Sequence, residues 1–177
     1  IASLRRSYLQ LLFGALNLPF LPTYNDFQFK VRTRFNPKNE ISFIGLGAYD
    51  KSVLNLEADE TASQRYILGY LPENIQWNYT FGANYKHYLE HGNLSVVLSR
   101  NYLNNQAYKY VDNQSELGKT YDYKSTEAEN HLGFEHNGHI PGKFKYVYGI
   151  GLDYAEYTNN SLYSIFLNDS LNVVQIN

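Results

Sequence analysis

The chain has 177 residues and a formal net charge of −2, which allows one ordinary domain and excludes a globally basic, nucleic-acid-binding protein. It contains no cysteine, so disulfides, thiolate chemistry and sulfur-ligated zinc are excluded for this sequence, and we expect no cofactor. The 18 tyrosines and 10 phenylalanines exceed ordinary usage, and tyrosine suits strands and membrane interfaces.

The sequence offers no candidate for a transmembrane helix. Its longest apolar region, residues 9–21, is interrupted by Gln10, Asn17 and Pro19 and falls short of the about 20 apolar residues that such a helix needs. The mean hydropathy of −0.46 does not argue against membrane strands, because only every second residue of such a strand faces lipid.

The first part of the chain predicts a hairpin with two chemically different faces. Residues 1–13 predict a strand, with a short helix as the alternative. Residues 24–35 then alternate between apolar and polar side chains, which is typical of a β-strand, and residues 40–50 predict the returning strand after a turn at 36–39. Lys30, Arg32 and Arg34 share one face of the first strand. Three cations on one face are unusual for a soluble sheet, and they fit a strand that lies between lipid and a water-filled lumen.

A second hairpin is predicted from residues 75–88 and 94–103, with a turn at 89–93. The first of these strands has the most regular alternation in the chain. In the second strand Arg100 would fall on the apolar side, where an arginine at mid-depth costs about 2–4 kcal/mol. We therefore predict a bulge or a change of phase near Ser99.

A third hairpin is predicted from residues 125–137 and 143–157, with a turn at 138–142. The short turns alternate with long polar connections at 51–72, at 104–124 and after 158. Outer-membrane barrels have this pattern, and their strands need about 9–11 residues to cross the bilayer. The sequence therefore predicts an all-β fold, a transmembrane antiparallel up-and-down β-barrel, of which this chain supplies about seven strands of a larger barrel.

The alternation assigns side chains to the two faces of these strands. We expect one set to face the lumen or a plug domain: Lys30, Arg32, Arg34, Gln76, Asn78, Lys86, Glu129 and Glu135. We expect a second set to face lipid: Phe27, Phe29, Val31, Trp77, Tyr79, Phe81, Tyr85, Tyr146, Tyr148 and Ile150.

Several segments resemble the early barrel of TonB-dependent outer-membrane receptors of Bacteroidetes-type bacteria. They are Arg5-Arg6-Ser7-Tyr8-Leu9, the segment LPFLPTYNDFQFK at 18–30, Asn36-Pro37-Lys38-Asn39-Glu40 and the segment GLGAYD at 45–50. These are barrel patterns, and none of them is diagnostic alone. The resemblance implies energised uptake of a nutrient, such as a siderophore, a glycan or a peptide, across the outer membrane of a Gram-negative bacterium.

Members of this family have a 22-stranded barrel, an N-terminal plug inside it and a segment that binds TonB. The resemblance therefore implies that residues 1–177 are part of one outer-membrane barrel domain, with the plug and the TonB-binding segment outside this sequence. The implied partners are outer-membrane lipid, the plug domain of the same parent chain, the TonB complex and a surface lipoprotein that binds the substrate.

No pattern in the sequence indicates an enzyme or a metal site. Glu127, Glu129, Glu135 and His131 share one strand face, but nothing marks a catalytic pair among them. No two histidines have the i, i+2 spacing that would place them on one face of a strand. The Gly45-x-Gly47 and Gly149-x-Gly151 pairs open no helix, so they are not nucleotide motifs. We expect both pairs to face inward and leave room for the plug, and relief of strand curvature is the alternative.

Two other functions fit the same patterns. One is a small stand-alone outer-membrane barrel of about eight strands with a structural or adhesive role. The other is a soluble all-β binding module, which would dissolve without detergent.

Overall fold

One antiparallel sheet of eight strands, in sequential order, makes up most of the chain. This architecture is seen in a computed structural model, which describes residues 1–167 and 170–176. Two helices and two short 3-10 turns, Val111–Asn113 and Ser115–Leu117, accompany the sheet. The elements are β1 Ala2–Arg6, α1 Leu9–Ala15, β2 Phe20–Asn36, β3 Asn39–Leu54, α2 Ala62–Tyr70, β4 Glu73–Leu89, β5 Gly92–Tyr110, β6 Lys119–Ile140, β7 Phe144–Leu167 and β8 Ser170–Ile176.

The predicted all-β, antiparallel up-and-down sheet is confirmed, with eight strands rather than about seven. Each strand pairs with the next in the chain, and β1 and β8 form the two edges of the sheet. The sheet is not closed, so these edges do not pair with each other.

Three short turns join the strands at one end of the sheet, which we call the short-turn end. They lie at residues 37–38, 90–91 and 141–143. The first two lie within the predicted turns, and the third overlaps the predicted turn at 138–142 but is shifted by the extension of β6 to Ile140. In the first turn the Asn36 side chain accepts a hydrogen bond from the Lys38 backbone N–H at 2.9 Å, as asparagine often does in turns. In the third turn Gly142 has φ +70°, a conformation that glycine adopts without steric cost.

At the opposite end, which we call the long-loop end, the strands extend further than predicted. The segments expected as polar connections at 51–72, at 104–124 and after 158 continue as strand to Leu54, Tyr110 and Leu167 respectively. Their asparagine and tyrosine side chains lack the apolar alternation that marks a half-buried strand, which explains the error. The prediction of a long connection after residue 158 is wrong, because β8 begins at Ser170.

Both helices lie at the long-loop end, and both correct the predicted elements. Residues 9–13, predicted as part of a strand, begin α1, whose Phe13 ring packs edge-on against Phe20 at 5.3 Å between centroids. Helix α2 lies inside the predicted connection at 51–72. It begins with a capping box, in which the Thr61 side chain accepts from the Gln64 backbone N–H and the Gln64 side chain accepts from the Thr61 backbone N–H.

The pairing register carries the alternation of each strand across the whole sheet. In an antiparallel sheet, residues directly opposite each other point to the same side. One continuous row across β3 to β7 consists of Phe43, Ala83, Leu98, Leu132 and Leu152. The sheet therefore has one apolar face and one polar face over its central part.

The register also shows that the predicted bulge near Ser99 is wrong. Pairing between β4 and β5 is continuous through Ser99, and the irregularity between β5 and β6 lies at Lys109 and Tyr110. Arg100 therefore does lie on the apolar face, opposite Phe81. The Tyr79 hydroxyl and the Asn130 side chain accept hydrogen bonds from its guanidinium, so the side chain finds polar partners without a break in the strand.

The two glycine pairs lie on opposite faces, although both were expected to face inward. Gly45 and Gly47 lie on the apolar face, opposite Phe29 and Phe27. Those two rings lie over the glycines, and a β-carbon at Gly45 would come within 2.1 Å of the Phe29 ring. Gly149 and Gly151 lie on the polar face, paired with Glu135 and Gly133.

Candidate functional site

The apolar face of the sheet contains all ten residues that the sequence assigned to lipid. Through the register these residues, from β2, β4 and β7, lie on one side of the sheet. Three of them are more than half exposed: Val31, Tyr148 and Ile150 retain 52%, 59% and 76% of their surface. Leu98 and Leu152, on the same face, retain 58% and 68%. That these side chains contact lipid stays a prediction.

Almost no apolar side chain of the sheet is covered by another part of the protein. In the described part of the chain, the buried apolar residues are Ala58, Leu68 and Ala107, which all belong to the long-loop end. A soluble domain of this length would normally bury a continuous core of large side chains. The apolar face therefore needs another apolar phase or partner to cover it.

Aromatic clusters mark both ends of the apolar face. Toward the long-loop end Trp77, Tyr79 and Tyr102 form a cluster with ring centroids 5.0–6.4 Å apart. Toward the short-turn end the rings of His136, Tyr146 and Tyr148 lie 5.0–6.1 Å apart. On β7 the stretch from Tyr146 to Tyr154 has about the length that a strand needs to cross a bilayer.

The polar face contains all eight residues that the sequence assigned to the lumen or a plug. The register places Lys30 in the row of Ile44, Gly82 and Ser99, and the other seven residues on the same side. Three concavities of the sheet open on this side. One, of about 530 Å³, is lined by Gln76, Asn78, Glu129 and neighbouring residues; the others measure about 390 and 480 Å³.

Charges on the polar face are separated along the strand direction. Basic side chains lie toward the short-turn end: Lys30, Arg32, Arg34, Lys86 and Lys145. Acidic side chains lie toward the long-loop end: Asp26, Asp50, Glu127 and Glu129. Asp153 shares the row of Lys30 and lies at the boundary between the two groups. The polar face thus has a positive and a negative half, with Glu40 and Glu135 in the positive half and Arg5 and Lys109 in the negative half as exceptions.

The basic half is organised around one buried carboxylate. Glu40 accepts two hydrogen bonds from Arg32, at 2.7 and 2.8 Å, and one from Arg34 at 3.2 Å. The Tyr88 hydroxyl donates a fourth hydrogen bond to Glu40 at 3.2 Å, and the Arg34 guanidinium lies over the Tyr88 ring. Two of the three predicted basic residues are therefore already paired within the sheet, while no ion pair of Lys30 is found in the described residues.

The acidic half contains weaker internal pairings. Asp26 pairs with Arg5 at 2.8 Å, and Asp153, at the boundary, contacts the His131 ring nitrogen at 2.5 Å. The Asn101 side chain donates to Glu129 at 3.3 Å. Alternating hydrogen-bonding side chains and open cavities make this surface suited to water and polar solutes, and no reactive group stands out.

The long-loop end is held together by side chains that bond to backbone carbonyls. Lys109 is buried and donates to the carbonyls of Leu68 and Leu71 at the end of α2, and burial lowers the pKa of its ammonium group. Gln64 donates to the Asn17 carbonyl at 2.8 Å, and Asn55 donates to the Leu18 carbonyl at 3.0 Å. Sequence reasoning missed this cluster, although the Thr61-x-x-Gln64 capping box was a readable signal.

Histidines meet only at the short-turn end. The rings of His91, in the turn between β4 and β5, and of His139, near the end of β6, have centroids 5.4 Å apart. Within the described residues no group of three His, Asp or Glu side chains is arranged to hold a metal ion.

None of the helices that the structure describes is long and apolar enough to cross a membrane. No protein-family model matches the chain, and a comparison with curated proteins finds no match. The resemblance to TonB-dependent receptors therefore stays a prediction that depends on the segments quoted above.

Proposed function

We propose that this sheet is part of a transmembrane β-barrel in the outer membrane of a Gram-negative bacterium. The single observation that carries the proposal is the exposed apolar face, which crosses the sheet from β2 to β7 and ends in aromatic clusters on both sides. Membrane barrels have such an apolar band with aromatic girdles on the outside and polar side chains on the inside. The concave, hydrogen-bonding polar face would then line a wet lumen.

We further propose that the barrel is larger than these eight strands. The unpaired edges of β1 and β8 carry backbone N–H and C=O groups that would need partners within a membrane. Additional strands of a longer parent chain would supply those partners, as the resemblance to TonB-dependent receptors implies. The function of the whole protein would then be TonB-dependent uptake of a nutrient, with the barrel as the passage and the long-loop end capturing the ligand.

A small closed barrel is the second candidate, because eight strands is the number found in the smallest membrane barrels. In that case β1 and β8 would pair with each other in the membrane. Cysteines introduced in the middle of β1 and of β8 would form a disulfide in a closed eight-stranded barrel. In a larger barrel, where other strands separate these edges, they would remain reduced.

The membrane assignment is tested by two neighbouring arginine substitutions. Leu98 lies on the apolar face and Val97 on the polar face of the same strand. We expect Leu98→Arg to lower the free energy of folding into lipid vesicles by about 2–4 kcal/mol, because its charge would enter hydrocarbon. We expect Val97→Arg to cost much less, because its charge would face the lumen.

The measurement is urea-dependent folding of the full-length chain into phosphatidylcholine vesicles, followed by tryptophan fluorescence. Equal losses for the two variants would contradict the proposal. Folding of the wild-type chain to the same state without vesicles or detergent would instead favour a soluble binding module.

A further inference from the structure

Arg100 lies on the apolar face at the level where apolar side chains give way to polar ones toward the long-loop end. On its short-turn side the row across β4 to β7 is apolar and consists of Ala83, Leu98, Leu132 and Leu152. On its long-loop side the rows are aromatic on β4, at Tyr79 and Trp77, and become polar on β5 to β7. The polar residues are Asn104, Thr126, Glu156 and Thr158. The boundary therefore involves several strands and not one strand.

Its guanidinium is held in place by side chains of the two neighbouring strands, β4 and β6. Arg100 Nε donates to the Tyr79 hydroxyl at 3.1 Å, and Nη1 donates to Asn130 Oδ1 at 2.7 Å. Both partners are neutral, and among the described residues no carboxylate lies within ion-pair distance of Arg100. The side chain is exposed, and no described residue accepts a hydrogen bond from Nη2. An oriented and uncompensated cation therefore faces outward from the sheet.

The surroundings of Arg100 match the interfacial layer of a membrane. Trp77, Tyr79 and Tyr102 form the aromatic cluster beside it, and such side chains concentrate at the level of lipid headgroups. A guanidinium presents its donors as a planar fork, which matches the oxygens of a phosphate. Leu98 on the adjacent row would contact the acyl chain below that phosphate.

We propose that Arg100, positioned by Tyr79 and Asn130, binds the phosphate of an anionic lipid headgroup at the long-loop edge of the apolar face. This inference rests on the proposed membrane location of the sheet. Its chemistry is an ion pair between the guanidinium and a phosphate, with no covalent step.

Trp77 provides the readout, because it is the only tryptophan of these 177 residues and its ring lies 5.0 Å from that of Tyr102. Any tryptophan in the rest of the parent chain is replaced by phenylalanine. The full-length chain is folded into phosphatidylcholine vesicles that contain either brominated phosphatidylcholine or brominated phosphatidylglycerol. Bromine quenches tryptophan fluorescence on contact, so the ratio of the two quenching curves gives the preference for the anionic lipid. We expect about a fivefold preference, the effect of one cation near an anionic membrane surface.

Two substitutions of Arg100 show whether the lipid preference depends on the positive charge or on the shape of the guanidinium group. We expect Arg100→Gln to reduce the preference to near one, and Arg100→Lys to retain much of it. The control is Lys124→Gln, which removes an exposed cation from the same face further toward the long-loop end and should leave the preference almost unchanged. A second series, with lipid A in place of phosphatidylglycerol, shows which class of anionic lipid is preferred.

Four outcomes would overturn the inference. An unchanged preference in Arg100→Gln, or no preference in the wild type, would exclude a lipid-phosphate site at Arg100 while leaving the membrane location intact. Loss of the preference on adding inorganic phosphate would indicate a site for free phosphate instead. Absence of quenching by every brominated lipid would contradict the membrane location itself.

Discussion

At the scale of single residues, Gly45 and Gly47 leave two positions on the apolar face of β3 without a side chain, for a packing reason. The rings of Phe29 and Phe27 on β2 cross to the neighbouring strand and cover the two glycines. A β-carbon at Gly47 would come within 2.2 Å of the Phe27 ring. The glycines thus serve the packing of two aromatic side chains on the apolar face, and they leave no space for a plug.

Gly45→Ala should therefore destabilise the protein, because the added methyl group forces the Phe29 ring away. We expect a loss of about 1–3 kcal/mol in the free energy of unfolding, the usual cost of overpacking. Gly69→Ala is the matched control, because nothing lies within 4 Å of its added β-carbon and it lies in α2. That helical substitution should be neutral or stabilise by up to about 1 kcal/mol. Urea titration of both variants checks the difference, and equal effects would refute the packing argument.

For Arg100, the sequence predicted the face of the strand but not the hydrogen-bond partners of the side chain. Alternation placed it on the apolar face correctly, but its expected energetic cost suggested a bulge that does not exist. The side chain instead finds two neutral acceptors on β4 and β6, and Asn130 lies 30 positions away in the chain. A contact between such distant positions depends on the register of three strands, which local patterns do not specify.

At the scale of elements, α2 is the clearest case of a helix fixed by one side chain from elsewhere. Lys109 on β5 donates to the carbonyls of Leu68 and Leu71, and Asn113 donates to the Leu68 carbonyl at 3.2 Å. A cation near a helix C-terminus also interacts favourably with the helix dipole. These contacts bind α2 to the strands of the long-loop end.

Lys109→Met should loosen α2 while leaving the sheet folded. Methionine has a similar length but donates no hydrogen bond, so the buried carbonyls lose a partner at a cost of about 1–3 kcal/mol. Hydrogen exchange should show faster exchange for the backbone amides of α2 and unchanged rates in β4. Lys124→Met, at an exposed position on β6, is the control and should change neither. Unchanged exchange of α2 in Lys109→Met would contradict this role of Lys109.

The elements that sequence patterns predicted well are those with an apolar face. The three hairpins and their turns were predicted from the alternation of apolar and polar residues with period two. This alternation occurs where one side of the strand belongs to the apolar face between the aromatic clusters. Helix α1 was only the alternative to a strand, because it lies in a short apolar run without a decisive period, and α2 was not predicted, because it lies in a polar segment. The strand extensions at the long-loop end also escaped prediction, since polar side chains occupy both of their faces.

At the scale of the whole molecule, the two faces of the sheet differ in polarity. One face is apolar, exposed and bounded by aromatic clusters, and the other is polar, concave and divided into a basic and an acidic half. Sequence alternation predicted which of the named residues share a face, and the register supports that division. The charge separation depends on strand direction and pairing, so it became visible only in the assembled sheet.

The most direct test of the central claim is a cysteine scan of β7 in the full-length chain. These 177 residues contain no cysteine, so each single substitution from Lys145 to Tyr154 introduces a unique probe once any cysteine in the rest of the parent chain is replaced by serine. In reconstituted vesicles we expect a water-soluble maleimide to label the odd positions, from Lys145 to Asp153, through a wet lumen. The even positions, from Tyr146 to Tyr154, should resist that reagent and be quenched by lipid-bound nitroxides once fluorescently labelled. Equal labelling of odd and even positions, without quenching by lipid, would contradict the account.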